Sequence, residues 1–291
     1  MTPGILPETS TAEPFGARLR RAMDTRGPLC VGIDPHTSLL QAWGLDDNPA
    51  GLERFARTVV DALADQVAVL KPQSAFFERF GSRGIAVLER TVADARAAGA
   101  LVLMDAKRGD IGSTMAAYAS AYLDPASPLF SDAVTVSPYL GYGSLRPAVE
   151  AARAGGSGIF VLALTSNPEG AEVQGAAGGN GRTVAETVLA HLKAENAAEK
   201  PLGSFGAVVG ATLGGTIAEA GIDLDTGGPL LAPGVGAQGA TPSDLPKVFG
   251  SSLPNVVPSV SRGVLRHGPD TAALQAAAGR FAEEIGAVVS S

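Results

Sequence analysis

The densest concentration of chemistry-bearing residues in the chain is the run Asp105-Ala-Lys107-Arg108-Gly-Asp110-Ile111-Gly-Ser-Thr114. An ammonium set between carboxylates is held by charge and hydrogen bonds, which fixes its direction and keeps it protonated. A lysine held in this way can deliver a proton. It is poorly suited to Schiff-base chemistry, which needs the neutral amine. Asp105 and Lys107 share a face if a strand runs through both, and Asp110 then opens the following turn. Taken alone, the segment also reads as a solvated loop whose opposite charges pair weakly. Two other charges bear on that choice. Asp34 follows Cys30 and Gly32 at period two, and Lys71 follows Val67 and Val69, just as Asp105 follows Leu101 and Leu103.

Such charges need elements to position them. Eight short apolar runs, residues 29–33, 67–70, 100–104, 133–136, 158–164, 207–209, 230–232 and 256–260, read as strands. Helical patterns lie near 14–23, 52–64, 85–98, 111–122, 145–154, 183–198, 216–220 and 242–249, and an amphipathic segment at 270–288 closes the chain. Many of the 37 glycines and 20 prolines fall where apolar runs end, which suits frequent short connections. The alternation predicts an α/β fold, a single-domain (β/α)8 TIM barrel over 1–291 with an N-terminal helical extension. A doubly wound sheet is the alternative architecture. Its dinucleotide fingerprint is missing, because the first strand leads into DPHTS rather than a Gly-x-Gly-x-x-Gly turn. In a barrel the period-two face can point inward, so that the strand-end charges emerge at the C-terminal mouth where active sites sit.

Composition removes several function classes. The 291 residues carry 22 Lys and Arg against 29 Asp and Glu, a net charge of −7, which disfavours a nucleic-acid or anionic-membrane binder but leaves room for a local phosphate pocket. One cysteine makes neither an internal disulfide nor a thiolate metal cluster. The start, MTPGILPETS, has no basic and apolar secretion pattern, and no stretch reaches 18 uncharged apolar residues. A cytoplasmic protein is expected.

The run DAKRGDIGST closely resembles the Asp-x-Lys-x-x-Asp-Ile-x-x-Thr signature of the orotidine 5'-phosphate decarboxylases. Further landmarks follow in chain order: VGIDPH at 31–36, LKPQSAFFE at 70–78, VTVSPYLG at 134–141, LTSNPEG at 164–170, APGVGAQG at 232–239 and VPSVSRG at 257–263. The long first loop and the glycine-rich segment after Ser166 are most similar to the larger bacterial branch of that family. The resemblance implies conversion of orotidine 5'-monophosphate to uridine 5'-monophosphate and carbon dioxide, the last step of de novo pyrimidine nucleotide synthesis. It implies neither a metal nor an organic cofactor. By the same resemblance, Asp34 and Lys71 bind the ribose hydroxyls. Lys71, Asp105 and Lys107 form the charged array at the reacting carbon, with Lys107 the proton donor and Asp110 supplied by the neighbouring subunit. Thr114 also reaches the partner's site. The implied enzyme is a homodimer whose active sites are shared across the interface.

The later landmarks carry the other end of the nucleotide. Gly234, Gly236 and Gly239 permit turns that expose backbone amides, although glycine-rich turns after strands are equally common as plain connections. Arg262 can grip phosphate oxygens with a forked pair of hydrogen bonds, and Gly263 lets the backbone come close; an isolated arginine is otherwise a solvated one. The resemblance assigns phosphate to Arg262, a phosphate-to-base bridge to Gln238 and the pyrimidine amide to Ser166. Ser166 by itself also suits a turn or cap hydroxyl. The stretch 170–182 is a candidate for closure over the phosphate. His36, His191 and His267 lack metal-ligand spacing, and Cys30 reads as a small core residue. Two other functions are compatible with parts of this pattern. A hexulose-phosphate synthase resembles the same Asp-x-Lys-x-x-Asp core but uses magnesium, and a noncatalytic nucleotide-binding barrel would keep Arg262 and the glycines alone.

Overall fold

Runs of four to eight aliphatic and β-branched residues, bounded by Gly, Pro or Asp, are too short to make stable helices and pair instead as strands. The computed structural model describes residues 12–179, 181–236 and 239–289. Its strands are β1 Cys30–Ile33, β2 Val69–Pro72, β3 Leu101–Arg108, β4 Ala133–Val136, β5 Gly158–Leu164, β6 Phe205–Val209, β7 Leu230–Pro233 and β8 Val256–Val260. Each pairs in parallel with the next, and β8 returns to β1 through Cys30 opposite Ser259 and Val31 opposite Val260. The ring is closed, so the doubly wound alternative is excluded.

The first helix precedes the ring, and the others follow its strands. They are α1 Phe15–Arg26, α2 Thr37–Ala42, α3 Pro49–Leu63, α4 Ala75–Glu78, α5 Gly81–Ala97, α6 Gly112–Leu123, α7 Arg146–Gly155, α8 Gly170–Gln174, α9 Val184–Asn196, α10 Gly214–Ala220, α11 Leu245–Phe249, α12 Arg262–Leu265 and α13 Thr271–Val289. Among the described residues no helix is long and apolar enough to cross a membrane. The expected helix at 242–249 is two pieces, a 3₁₀ turn over Pro242–Asp244 and then α11. Thr241 and Asp244 bond to one another at the start of that turn, and Pro246 suits the first turn of a new helix. The short helices α2, α4, α8 and α12 were not anticipated; each is one turn or little more, below the length at which periodicity shows.

Two apolar cores result from the period-two face pattern. Inside the ring, Cys30, Val69, Leu103, Ala133, Phe160, Val208, Leu231 and Val257 pack together. The outward faces meet the helices in a larger core that includes Val31, Leu63, Val102, Leu145 and Leu274. Helix α1 closes the floor of the barrel. Its Phe15, Leu19 and Met23 join the inner core, with Phe15 edge-on to Phe160 at 6.0 Å between ring centres. A Cβ at Gly158 would lie 2.4 Å from the Phe15 ring, so this strand begins with glycine because the floor helix occupies the space. Trp43, after α2, is buried against Phe55, and its indole Nε1 donates to the Leu265 carbonyl at 2.9 Å. That bond ties the first strand's loop to the last strand's, across the seam where the ring closes.

Candidate active site

The inward face that is apolar at the floor becomes charged at the mouth. Cys30 and Gly32 lead to Asp34, Val69 to Lys71, and Leu103 to Asp105, as period two requires. Strand β2 includes Lys71, and β3 runs on through Asp105 and Lys107, beyond the expected end at 104. These residues line a cavity of about 460 Å³ together with His36, Thr135, Ser259 and Arg262.

Asp105 is the centre of the arrangement. Its Oδ2 receives the Lys71 ammonium at 3.1 Å, and its Oδ1 receives Lys107 Nζ at 2.6 Å and the Thr135 hydroxyl at 2.9 Å. Lys71 and Asp105 are buried, whereas the Lys107 side chain is 45 % exposed and reaches into the open cavity. Burial alone would raise the Asp105 carboxyl's pKa, but the two ammonium groups outweigh it and hold the acid well below the carboxylate range. Burial alone would lower Lys71, but Asp105 and Asp34 outweigh it and hold the ammonium above its ordinary value. Both therefore stay charged near neutral pH. Asp34 Oδ1 is buried and has no hydrogen-bond partner among the described residues, which is expensive unless a ligand or solvent supplies a donor. The thiol of Cys30, below the array, is pushed up to about 12 by burial and is not a nucleophile.

Lys107 sits on an irregularity. Strand β3 pairs with β4 as Met104 opposite Val134 and then resumes as Arg108 opposite Val136. Four residue steps on one strand therefore face two on the other. Lys107 takes up part of this excess at φ 49°, the one positive φ outside glycine among the described residues. Arg108 then points out of the barrel, where Nη2 meets Glu78 and the Tyr122 hydroxyl. Gly109 follows because a Cβ there would lie 2.5 Å from the Ser137 carbonyl, so the β3 and β4 ends touch with no room for a side chain.

Several expected residues stand elsewhere. Asp110 does not line the cavity and makes no ion pair among the described residues; its Oδ1 accepts from the Ile111 amide. Thr114 is exposed on the first turn of α6. Ser166 is exposed past the end of β5 and is not part of the cavity wall, whereas its neighbour Thr165 is. Arg262 begins α12 at the mouth, exposed, with no ion pair among the described residues. Gly263 is buried behind it, where a Cβ would lie 2.9 Å from the Phe281 ring. Gly234 and Gly236 both have positive φ in the turn after β7, which only glycine adopts readily. Gln238 lies outside the described residues.

Other wall residues were missed by sequence reasoning. Thr135 is the polar residue within the apolar run AVTV, two places beyond inward-facing Ala133, and that spacing was its signal. Ser259 on the last strand and Ser261 just past its end repeat it beyond Val257. A larger cavity, about 560 Å³, lies between the β4 loop and helices α8 and α9, and shares Leu162 with the first. Tyr142 and His191 stack in its wall, 4.6 Å apart and nearly parallel. It holds none of the linked Lys71, Asp105 and Lys107, so volume does not identify the reactive site here. Gly170, Val173, Gln174, Gly178 and Arg182 from the stretch proposed to close border this larger cavity, and Gln174 is tied to Thr165 through two hydrogen bonds. Among the described residues no three His, Cys, Asp or Glu side chains are placed to hold a metal ion.

Residues 27–277 match the family described as orotidine 5'-phosphate decarboxylase / HUMPS. A Streptomyces coelicolor protein named orotidine 5'-phosphate decarboxylase is 74% identical over 279 residues, which is 96% of this chain and 99% of that one. A Corynebacterium efficiens protein of the same name is 52% identical over 93% of this chain and 96% of its own. The crystal structure of a provisionally assigned orotidine 5'-phosphate decarboxylase from Streptomyces avermitilis superposes with a TM-score of 0.95, at 73% identity, covering 99% of this chain and all of that one.

Proposed function

The chain belongs to the orotidine 5'-phosphate decarboxylase / HUMPS family, and we propose that it converts orotidine 5'-monophosphate to uridine 5'-monophosphate and carbon dioxide without a metal, with Lys107 as the proton donor. The observation that carries this reading is the linked Lys71, Asp105 and Lys107 set at the mouth of the barrel.

The chemical difficulty is the electron pair left on the pyrimidine carbon when its bond to the carboxylate breaks. A fixed ammonium beside that carbon stabilises the developing charge and then supplies the proton that replaces carbon dioxide. Lys107 suits the task, being bound to Asp105 yet open to the cavity. Solvent then returns a proton to the amine. Asp105 works against the substrate carboxylate by charge, so loss of that carboxylate relieves a repulsion. Lys71 occupies the space beside Asp105 that a divalent cation would otherwise need, which supports a reaction without metal.

Binding divides around this centre. The unpartnered Asp34 Oδ1 calls for a hydroxyl donor, which supports a ribose contact shared with Lys71. Arg262 and Gly234, in the positive-φ turn that continues to Gly236, line the other end and suit phosphate. Ser166 and Gln238 are assigned to the pyrimidine and to the base-phosphate bridge by motif. Asp110 and Thr114 are not part of their own cavity wall, and Ile111 between them in the motif is exposed, as are Tyr139 and Leu140 after β4. These apolar side chains support a homodimer in which each subunit sends Asp110 and Thr114 into its partner's site.

The direct test is loss of pyrimidine absorbance when folded protein meets orotidine monophosphate in excess chelator. Turnover is expected, and none with a pentulose phosphate. No turnover by folded dimer would sink the decarboxylase reading, and restoration by added magnesium would sink its metal independence.

A further inference from the structure

We propose that Thr135 is a positioning residue for this reaction, its single hydroxyl holding both the Asp105 carboxylate and the Lys107 backbone in the arrangement that aims the ammonium at the substrate. The inference rests on the reading of Lys107 given above and extends it to a residue outside the charged motif.

The β3 irregularity creates the need. Between Met104 and Arg108 the register with β4 shifts, and the amide of Lys107 falls within that interruption of the ladder. The Thr135 Oγ1 accepts that amide's hydrogen at 2.9 Å. The same oxygen donates its own proton to Asp105 Oδ1 at 2.9 Å. Asp105 Oδ1 in turn accepts from Lys107 Nζ at 2.6 Å. The bonds form a closed circuit that starts at the Lys107 backbone and ends at the Lys107 ammonium, passing through one hydroxyl and one carboxylate oxygen.

Each part of the circuit has a reason. A hydroxyl has one proton to give and lone pairs to receive, so Thr135 fills both positions at once. Thr135 is 1% exposed, so water does not substitute for it. Lys107 lies at φ 49°, a conformation disfavoured for a residue with a side chain and kept only where its surroundings over-determine it. Valine has nearly the same shape but would leave the part-buried Lys107 amide without this acceptor and a buried carboxylate short of one donor. Serine keeps the hydroxyl and loses only a methyl group.

The test compares Thr135→Val, Thr135→Ser and Lys107→Ala by steady-state decarboxylation, binding of uridine monophosphate and thermal melting. For Thr135→Val, kcat is expected to fall roughly 10- to 100-fold, with uridine monophosphate affinity within about threefold of the parent. Thr135→Ser is expected to recover kcat to within about threefold of the parent. A parental kcat in Thr135→Val, a loss confined to KM, or equal loss in the serine variant would each overturn the proposal. Should Thr135→Val fail to fold, Thr135→Ala carries the same expectation against Thr135→Ser. An inactive Lys107→Ala beside a fully active Thr135→Val would reject this inference alone, whereas an active Lys107→Ala would reject the proton-donor reading itself.

Discussion

The two sides of the barrel mouth hold their cations in opposite ways. On the β2 to β4 side, Lys71 and Lys107 are already bonded to one carboxylate, which Thr135 also holds. On the β7 to β8 side, Arg262 is exposed and makes no ion pair among the described residues. The difference fits the function proposed for each side. A group that stabilises charge appearing during reaction is most effective when its orientation is set beforehand, because no reorganisation is then needed at the critical moment. A group that captures a charged ligand gains most when its partner arrives with that ligand, since a permanent internal carboxylate would compete for it.

The comparison is broken most decisively at Lys107. On the proposed mechanism Lys107→Ala should lower kcat by about 10⁴-fold or more while leaving a folded protein that still binds uridine monophosphate, because the proposed proton donor and charge stabiliser vanish together. Asp110→Ala should also be impaired, but through the opposite site. In mixed dimers of the two variants, one site receives both defects and the other neither, so about half of the parental activity per dimer should return. No recovery in verified mixed dimers would remove Asp110 from the shared site.

On the open side, Arg262→Ala should weaken uridine monophosphate binding by about 2–5 kcal/mol and uridine binding far less. Titration calorimetry with both ligands checks this. Equal losses would show that Arg262 does not read phosphate, and the contrast between the two sides would fail.

The smallest effect concerns stability on the bonded side. Asp105→Asn keeps the shape but removes the charge between two ammonium groups, and should cost about 2 kcal/mol in urea unfolding at pH 6. The Asp105 carboxyl is held below its ordinary range in the folded state, so the unfolded chain binds that proton more readily. Its contribution is therefore complete above about pH 4 and is lost as pH falls through the folded value. The gap between parent and Asp105→Asn should narrow from pH 6 to pH 3. A gap that stays constant would mean that the charge on Asp105 does not anchor the array.

Much of this was legible because alternation along a strand is a local property. Cys30, Gly32 and Asp34, or Leu101, Leu103 and Asp105, declare a shared face without knowledge of any neighbour. Barrel closure was legible for the same reason, repeated eight times. The role of Thr135 was not, since it depends on an interruption between β3 and β4 that neither strand reveals alone. Gly109 was only a letter within the charged motif, because the reason for it is the Ser137 carbonyl of the adjacent strand. Ser166 shows the converse: its motif resembles that of a pyrimidine-binding serine, yet the side chain stands outside the cavity wall to which Thr165 belongs.

The bond between the Trp43 indole and the Leu265 carbonyl has a spectroscopic consequence. The chain has one tryptophan, so selective excitation near the red edge of indole absorption interrogates a single place. Its hydrogen bond joins residues 222 positions apart and exists only once the two ends of the ring have met. Closing so long a loop is slow compared with forming any one helix. Tryptophan emission during refolding is therefore a clock for ring closure, while far-ultraviolet circular dichroism counts helices wherever they form. A delay between the two signals measures the time that assembled α and β units wait before the first strand finds the last.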